Sequence, residues 1–436
     1  MTERRRAAEA VPAAMTELRR EVRAAGIEGL IDLSRSEPLP IPLPDECAAR
    51  VAAEFGRARQ YSPPGGLMPV RAAAARYASA RTGLSIEAAN VTITAGAMAG
   101  LAVALRALIE PGDEVLVPVP YFHSYPKQVS MLGGVPRLVD TRPLRGELTP
   151  EAIERELGPR TRALLLCNPG NPSGVLLDRD RLAAILAALP PHVAVIADEV
   201  YAEYVYGNAT GDVDVSANIS PKRRHRLESP FTSALAVAAD EGAGREVVAL
   251  DTASKTAAMP GWRVGTAVST PGLAPRLAQA AATLSGAPNT LAQIAFGAWL
   301  DDPPRLDRMA PYRPRLRDVI DVLTASGLTV RPPDGSYYVW ATDDTAQNDG
   351  ATSDGATAGN TDNRDDAPEL GSPDTALELA RRSGVLVWPG ILFGDSQSVR
   401  ISLSVPRREL RDGAIRFTDS WREVREGDIS ISRSGR

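Results

Sequence analysis

Short apolar runs alternate with helical segments between residues 45 and 285, and this alternation constrains the fold more than any other feature of the sequence. The runs show no alternation of apolar and polar residues, which is typical of strands that are buried on both faces. Helices between consecutive strands indicate right-handed parallel crossovers. The pattern therefore predicts an α/β fold with a mainly parallel, doubly wound sheet. The predicted strands are Val91–Thr94, Glu114–Val119, Ala163–Cys167, Val193–Ala197 and Val247–Asp251, and the predicted helices include Glu46–Arg59, Pro69–Thr82 and Ala99–Leu108.

The regions on either side of this alternation have a different character. Residues 1–44 are expected to form an N-terminal helix at 13–30 and an extended arm, because the prolines from Pro38 to Pro44 cannot lie inside a helix. Residues 45–300 are expected to form the large α/β domain. Residues 301–436 are expected to form a smaller α+β domain with helices Arg305–Ser326 and Ala376–Ser383 and strands Tyr337–Trp340 and Val399–Ser404.

Two segments interrupt the pattern and are predicted to be insertions. Residues 207–245 contain a basic run, Lys222–Arg226, and residues 343–371 are rich in Asp, Asn, Thr, Gly and Ala. The second composition has little to bury, which predicts a disordered loop. A nucleic-acid patch on the first and partner binding by the second are the alternatives. Solvated surface is the favoured interpretation of both, since the chain of 436 residues carries a net charge of −5.

The composition excludes several classes of protein. Cys47 and Cys167 are the only cysteines and there are three histidines, so neither a disulfide framework nor a metal site is expected. No apolar stretch reaches the roughly 18 residues of a membrane-spanning helix, and the start of the chain lacks the apolar segment of a signal peptide. Together with the acidic charge, this predicts a cytoplasmic protein that binds neither membranes nor nucleic acid. Of the 49 basic residues only three are lysines: Lys127, Lys222 and Lys255.

Three motifs directly follow predicted strands, at the edge where open α/β sheets bind ligands. Residues 168–174, NPGNPSG, follow the strand that ends at Cys167, and residues 198–201, DEVY, follow the next one. Residues 252–255, TASK, follow a third strand and precede PGWRVG at 260–265. Taken singly, these motifs have simpler interpretations as a turn, a helix cap and a surface lysine. Their shared position at strand ends and the rarity of lysine favour one ligand site instead.

In this order the motifs closely resemble those of the fold-type I pyridoxal-phosphate enzymes of the class I/II aminotransferase group, which is related to aspartate and aromatic aminotransferases. The resemblance covers residues 30–420. It implies that Lys255 forms a Schiff base with the aldehyde of pyridoxal 5′-phosphate and later, as a free amine, moves the α-proton. It also implies that Asp198 pairs with the pyridine nitrogen, while Asn171 and Tyr201 hydrogen-bond the phenolic oxygen. The predicted catalytic residues are thus Lys255, Asp198 and Tyr201.

The resemblance further implies how the rest of the cofactor is held. Arg263 would clamp the phosphate with its planar fork, Thr252 would add a hydroxyl, and the start of the helix after Thr94 would add backbone N–H groups. An aromatic residue at Phe122 is as often plain core, but the resemblance favours stacking of its ring on the pyridine ring. Tyr61 resembles the tyrosine that reaches the phosphate of the neighbouring subunit, which implies a homodimer with shared active sites. The helix-start residues are Gly96, Ala97 and Met98.

Arg400 resembles the family arginine that binds the α-carboxylate of the amino-acid substrate. Independently, an arginine inside the apolar run Val399–Ser404 is costly to bury without an anion. Asn171 is expected to contact the substrate as well. Ser36 stands where many relatives have a glycine against the substrate, so it adds bulk and a hydroxyl there. His123, beside the predicted stacking ring, is either a further acid or base or a hydrogen-bonded structural histidine, and the second interpretation is favoured.

The leading hypothesis is an aminotransferase that transfers the α-amino group of an L-amino acid to a 2-oxo acid. Ser36, His123 and the insertion at 207–245 also fit a lyase, synthase or oxidase on the same scaffold, including one that acts on an S-adenosylmethionine-like substrate. A non-catalytic amino-acid sensor would need an N-terminal DNA-binding domain, and the helix and arm of residues 1–44 are too short for one. The sequence assigns no pocket to the substrate side chain.

Overall fold

The structure, a computed structural model, describes residues 15–207, 231–242, 244–304, 306–344 and 369–426. The strands of these ranges are β1 (Ile31–Asp32), β2 (Val91–Thr94), β3 (Glu114–Val119), β4 (Val135–Asp140), β5 (Thr161–Cys167), β6 (Ala194–Asp198), β7 (Val247–Thr252), β8 (Gly265–Ser269), β9 (Thr329–Val330), β10 (Tyr338–Thr342), β11 (Val385–Leu386), β12 (Trp388–Pro389) and β13 (Ser398–Ser402).

The α-helices of the same ranges lie between and around these strands. In chain order they are α1 (15–24), α2 (Asp45–Ala53), α3 (Met68–Thr82), α4 (Ala97–Leu108), α5 (Tyr125–Met131), α6 (Pro150–Glu156), α7 (Arg179–Ala188), α8 (Ala234–Glu241), α9 (Ala253–Thr256), α10 (Ala274–Leu284), α11 (Thr290–Asp301), α12 (Tyr312–Ala325), α13 (Pro373–Ser383) and α14 (Arg407–Arg425).

Seven strands form one mixed sheet in the order β2–β8–β7–β6–β5–β3–β4. The two pairs made by β8 are antiparallel and the other pairs are parallel, so β8 runs against the rest of the sheet. Successive residues of β5 enter different cores: Leu164 packs with Leu182 of α7, and Leu165 packs with Leu101 of α4. Both faces of the sheet are therefore covered, which explains the continuous apolar runs. The α/β fold with a mainly parallel, doubly wound sheet is confirmed.

A second, four-stranded antiparallel sheet has the order β12–β13–β10–β9, and helices α12 and α14 pack beside it. Its core includes Phe417 and Trp421 of α14 and also Leu33 of the N-terminal arm. The arm joins this part of the molecule through β1, which pairs in parallel with β11. The predicted domain boundaries at residues 44/45 and 300/301 stay predictions.

Helix α1 has the apolar face that the sequence predicts. Met15, Leu18 and Val22 are buried against a cluster that includes Trp340 of β10. The helix ends at residue 24 and not at residue 30. Gly26 and Gly29 follow it with φ of 60° and 66°, a left-handed backbone that an α-helix cannot contain. The rest of the predicted helix is therefore a turn.

The predicted strands are present with ends shifted by one or two residues, whereas some helix boundaries were wrong. The helix predicted from Arg305 begins at Tyr312, because Pro311 occupies its N-cap and the preceding residues form turns. The helix predicted over Glu46–Arg59 ends at Ala53 and continues as the 3₁₀ turn Phe55–Arg59. Strands β4 and β8 and the long helix α14 were not predicted.

The two predicted insertions fall mostly outside the described residues, which exclude 208–230 and 345–368. The described end of the first one is helix α8, whose Leu235 and Val237 are buried in the main core. The described end of the second one is also packed, since Leu370 is fully buried. The extents of the two insertions stay predictions. Among the described helices none is long and apolar enough to cross a membrane.

Candidate active site

The predicted site residues lie at one edge of the main sheet. Strands β2, β5, β6 and β7 run in the same direction, so their carboxyl ends meet there. These ends carry Gly96, Asn168–Gly174, Asp198 and Thr252. The second sheet adds Arg400 of β13, and the N-terminal arm adds Ser36. The site is therefore built from both sheets and the arm.

An anion cradle lies at the start of helix α4. Gly96 has φ of 86°, and a Cβ added to it would lie 3.1 Å from Nη2 of Arg263 and 3.6 Å from Oγ1 of Thr252. Ser254 joins them, since its Oγ accepts from Nη1 of Arg263 at 3.2 Å and from Oγ1 of Thr252 at 3.2 Å. No side chain caps the helix start, which leaves the backbone N–H groups around Ala97 and Met98 for an anion.

Asp198 ends strand β6 as a buried carboxylate. Tyr125 donates to its Oδ2 at 2.5 Å, and the backbone N–H of Val200 donates to Oδ1 at 3.4 Å. Burial raises the pKa of Asp198 to about 6. Within the described ranges no cation lies within ion-pair distance of it. A positively charged group bound beside it would stabilise the ionised form.

Lys255 lies in the short helix α9 directly after β7. Its Nζ donates to the backbone carbonyl of Ser36, with the rings of Tyr201 and Tyr337 at 5.9 and 5.8 Å. Burial is the main cause that lowers the pKa of Lys255, and Arg400 contributes to the same effect. A lowered pKa increases the fraction of the neutral amine, which is the form that accepts a proton or attacks a carbonyl.

A chain of hydrogen bonds connects this lysine with Asn171. Nδ2 of Asn171 donates to the hydroxyl of Tyr201 at 3.2 Å, and Tyr201 donates to the hydroxyl of Tyr338 at 3.3 Å. Tyr338 donates in turn to the Ser36 carbonyl at 3.3 Å, the same oxygen that accepts from Lys255. Burial opposes ionisation of Tyr338, but the nearby charges of Lys255 and Arg400 outweigh it and lower its pKa.

Arg400 is 1% exposed, which makes it one of the largest fully buried side chains. Nη1 donates to Oδ1 of Asn171 at 2.9 Å and Nη2 donates to Oγ of Ser36 at 3.2 Å, while Nε has no hydrogen-bond partner. Its guanidinium lies 4.0 Å from the centre of the Tyr338 ring. No carboxylate of the described residues pairs with it, so the site holds a buried, uncompensated positive charge that suits an anionic ligand.

His123 lies among aromatic rings, one of which, Trp388, also lies 5.1 Å from the guanidinium of Arg400. Its ring stacks on that of Trp388 at 5.2 Å and lies 4.4 Å from that of Phe122, and Nδ1 is 3.1 Å from Oγ of Ser124. Burial, with a smaller contribution from Arg400, lowers the pKa of His123 to about 4, so the imidazole is neutral near pH 7. This environment fits a structural histidine. Within the described ranges no cluster of His, Cys, Asp and Glu is placed to hold a metal ion.

A buried ionic network lies next to the site, at residues adjacent in sequence to Asp198 and Thr252. Arg81 of helix α3 donates to Asp251 at 2.7 Å and lies 3.6 Å from Glu199. Asp251 precedes Thr252 in β7 and Glu199 follows Asp198, so the guanidinium connects the ends of two site strands. Burial acts to lower the pKa of Arg81, but Asp251 and Glu199 raise it and keep the side chain charged.

Arg81→Met is expected to destabilise the fold by about 3–5 kcal/mol, because it leaves two buried carboxylates facing one another without their cation. A lower midpoint of thermal unfolding measures the effect. Arg76→Met is the matched control: it lies on the same helix and pairs with Asp301, but its side chain is 65% exposed. The control should cost less than about 1 kcal/mol. Equal shifts in the two variants would contradict a supporting role for the buried network.

The structure brings most of the predicted residues together, with two exceptions. Phe122 packs beside His123 and Tyr125 at the rim, where its stacking on a cofactor stays a prediction. The side chain of Tyr61 is fully exposed, so it does not pack into the site of its own chain. Four residues with contacts in the site were not predicted: Tyr125, Ser254, Tyr337 and Tyr338.

Comparison with known proteins identifies the family. A profile of the protein family "Aminotransferase class I and II" matches residues 28–417. The chain belongs to this family. The matched residues include both sheets and every candidate site residue. This class I and II aminotransferase therefore carries the family pattern over nearly its whole length.

Its similarity to individual relatives is lower but extends over the full chain. It is 29% identical to the aspartate/prephenate aminotransferase of Thermus thermophilus over 406 residues, covering 91% of this chain and 92% of the relative. It is 30% identical to the corresponding protein of Cereibacter sphaeroides over 412 residues, covering 93% and 94%. A solved structure of an aspartate aminotransferase double mutant from Thermus thermophilus superposes with a TM-score of 0.75 at 27% identity, covering 94% of this chain and 96% of that one.

Proposed function

We propose that this class I and II aminotransferase uses pyridoxal 5′-phosphate to transfer the α-amino group of an L-amino acid to a 2-oxo acid. One observation carries the proposal: Ser36 contacts both Nζ of Lys255 and Nη2 of Arg400. The single residue Ser36 therefore bridges the amine and the buried guanidinium in space. A ligand of amino-acid size can place its carboxylate on Arg400 and its α-carbon beside Lys255.

The residues present fit the proposed cofactor. Gly96, Thr252, Ser254 and Arg263 line a cradle in which a Cβ on residue 96 would lie 3.1 Å from Nη2 of Arg263, and the hydroxyl and guanidinium donors there suit a phosphate. Asp198 offers a buried carboxylate to a protonated ring nitrogen. When bound, the cofactor supplies an aldehyde that condenses with amines and a ring that withdraws electrons from the α-carbon.

The protein contributes orientation and proton transfer. Arg400 can bind the α-carboxylate and fix the α-carbon, since a guanidinium pairs with a carboxylate through two parallel hydrogen bonds. Lys255 can hold or release a proton at Nζ, because burial favours its neutral form. Asn171 and Tyr201 offer an amide and a hydroxyl to the ring oxygen. Burial raises the pKa of Asp198, whereas the hydrogen bonds from Tyr125 and Val200 act to lower it and so favour its ionised form.

Gly96→Ala is expected to weaken cofactor binding about 100-fold, since the new methyl group lies against Arg263 and Thr252 in the cradle and a left-handed backbone adds strain of about 1–2 kcal/mol. Equilibrium dialysis of the cofactor measures the change. Gly112→Ala is the matched control: its φ is 90°, but nothing lies within 4 Å of the added carbon. Equal losses of cofactor affinity would show that strain, and not filling of the cradle, is the cause.

Arg400→Lys is expected to raise the KM for the amino donor about 10- to 100-fold, because lysine keeps the charge but loses the paired hydrogen bonds to a carboxylate. The effect on kcat should be smaller, since the charge that attracts the ligand is retained. Steady-state kinetics at saturating 2-oxo acid separate the two constants. An unchanged KM with a reduced kcat would contradict a carboxylate-binding role.

We further propose a homodimer with shared active sites that works in the cytoplasm. Phe55, Tyr61 and Met68 are large apolar side chains that are exposed within one stretch of the sequence, and a subunit interface would cover such side chains. In such a dimer Tyr61 would contact the phosphate of the partner. The free thiols of Cys47 and Cys167 suit a reducing compartment. A molar mass of one chain in light scattering would exclude the dimer.

Transfer of the amino nitrogen is the activity to test. The enzyme is incubated with a ¹⁵N-labelled amino acid and an unlabelled 2-oxo acid, and the products are identified by mass spectrometry. An aminotransferase places the label in the new amino acid. Label in free ammonia, with none in the new amino acid, would contradict the proposal and point to elimination or oxidation.

A further inference from the structure

The N-terminal arm holds Ser36 across the site by contacts on both sides of that residue. The backbone N–H of Ser402 donates to the carbonyl of Leu33 at 2.8 Å, and the indole of Trp388 donates to the carbonyl of Ser34. On the other side, the backbone N–H of Leu39 donates to the hydroxyl of Tyr312 at 2.7 Å. The arm is therefore anchored to the second sheet and to helix α12, and Ser36 lies between its anchors.

Ser36 has polar contacts in two directions. Its Oγ accepts from Nη2 of Arg400 at 3.2 Å. Its carbonyl oxygen accepts from Nζ of Lys255, from the hydroxyl of Tyr337 at 2.9 Å and from that of Tyr338 at 3.3 Å. One residue thus engages both groups that the proposed function assigns to the amino-acid donor.

The two terminal nitrogens of Arg400 each face one neutral oxygen. Oδ1 of Asn171 accepts a hydrogen bond from Nη1 at 2.9 Å, and Oγ of Ser36 accepts one from Nη2 at 3.2 Å. A carboxylate in a bidentate pair with arginine places its two oxygens on two guanidinium nitrogens in the same way. A donor carboxylate on these two nitrogens would therefore have to share them with, or displace, the oxygens of Asn171 and Ser36.

We propose that Ser36 is a positioning residue that competes with the α-carboxylate of the donor for Arg400, so that donor binding displaces its hydroxyl from the guanidinium. The inference rests on the proposed function, because it assumes that Arg400 binds the donor carboxylate. The ionic pair is stronger than the hydroxyl contact, so the exchange is favourable. The apparent affinity for the carboxylate is nevertheless reduced by the fraction of molecules in which Ser36 occupies Arg400.

Carboxylate binding to the holoenzyme tests the competition directly. Sodium maleate and sodium 3-phenylpropanoate are titrated separately, and the change in the cofactor absorbance gives the dissociation constant of each. Ser36→Ala removes the hydroxyl and keeps the backbone, and it should bind both probes about tenfold more tightly than the wild type. Two probes with different side chains ensure that the side-chain pocket does not decide the result.

Ser34→Ala is the matched control, because its hydroxyl lies on the same arm but bonds to Asp32 and Arg19. Its affinity for both probes should equal that of the wild type.

The outcomes separate this inference from the proposed function. Equal or weaker binding of both probes by Ser36→Ala would overturn the competition. Arg400→Gln should lose binding of both probes. If Arg400→Gln binds them as tightly as the wild type, the placement of the donor carboxylate fails and the proposed function with it. If Arg400→Gln loses binding while Ser36→Ala and the wild type are equal, only the inference about Ser36 fails.

Discussion

Lys255→Ala is expected to lower the rate of amino-group transfer by at least about 10⁴-fold, because it removes both the amine that attacks the carbonyl and the base at the α-carbon. Nζ of Lys255 is buried beside Arg400, and its lowered pKa favours the neutral amine that both tasks need. Single-turnover kinetics with an excess of enzyme measure the loss without interference from product release.

Lys127→Ala is the control for this variant, since Lys127 lies on helix α5 with its side chain partly exposed. Its rate should stay within about twofold of the wild type, as expected for a surface substitution. Borohydride reduction followed by peptide mapping gives an independent readout, and the mass of the cofactor should be found on the peptide that contains residue 255. A Lys255→Ala protein with wild-type activity would remove the basis of the whole site assignment.

Asp198→Asn is expected to lower kcat about 10³-fold, in line with the loss of one preorganised charge in a buried site. The amide has nearly the same shape as the carboxylate, but it cannot stabilise a protonated ring nitrogen. The wild-type carboxylate has no cation within ion-pair distance in the described residues, so its charge is available to the ligand. The affinity for the cofactor should fall much less than kcat, because the phosphate cradle at Gly96 is untouched.

Tyr125→Phe distinguishes the contribution of the Asp198 charge from that of the hydrogen bond it accepts. It removes the hydroxyl that donates to Asp198 at 2.5 Å and keeps the charge. Its kcat should fall by about tenfold or less, the usual size of one lost hydrogen bond. If Asp198→Asn lost no more activity than Tyr125→Phe, the carboxylate would be a structural group and not the partner of the ring nitrogen.

The sequence was sufficient to predict that Asp198, Lys255 and Asn171 lie together. Each one ends or follows a buried strand, and parallel strands place their carboxyl ends at one edge of the sheet. Arg400 was found for a different reason, since a charged residue in an apolar strand indicates a buried charge that needs a ligand. Their functional roles stay predictions, but the geometry on which those roles depend is present.

The hydroxyl groups around Lys255 could not be predicted, because they come from a distant part of the chain. Tyr337 and Tyr338 belong to the second sheet and meet the lysine only through its packing against the first. In the sequence, two aromatic residues at the start of a strand are typical of core. The same limit applies to Ser36, whose contacts with Arg400 and Lys255 depend on how the arm crosses the site.

Helix ends were less predictable than strand ends for a local reason. The helix expected from Arg305 begins at Tyr312, and Pro311 lies at its N-cap. A proline is tolerated at the start of a helix but not inside it, so Pro311 and Pro314 were the signals for a later start. Strands such as β5 and β6 have short, mostly apolar sequences that leave less freedom in placing their ends.

A single half-reaction tests the central claim most directly. The holoenzyme is mixed with a panel of L-amino acids without any 2-oxo acid, and 2-oxo acid and ammonia are quantified by mass spectrometry and enzymatic assay. An aminotransferase stores the amino group on its cofactor, so the reaction should stop after one equivalent of 2-oxo acid per active site and release no ammonia. Addition of a second 2-oxo acid should then restore the original cofactor absorbance. Continued product formation beyond one equivalent, or release of ammonia, would contradict amino-group transfer by this enzyme.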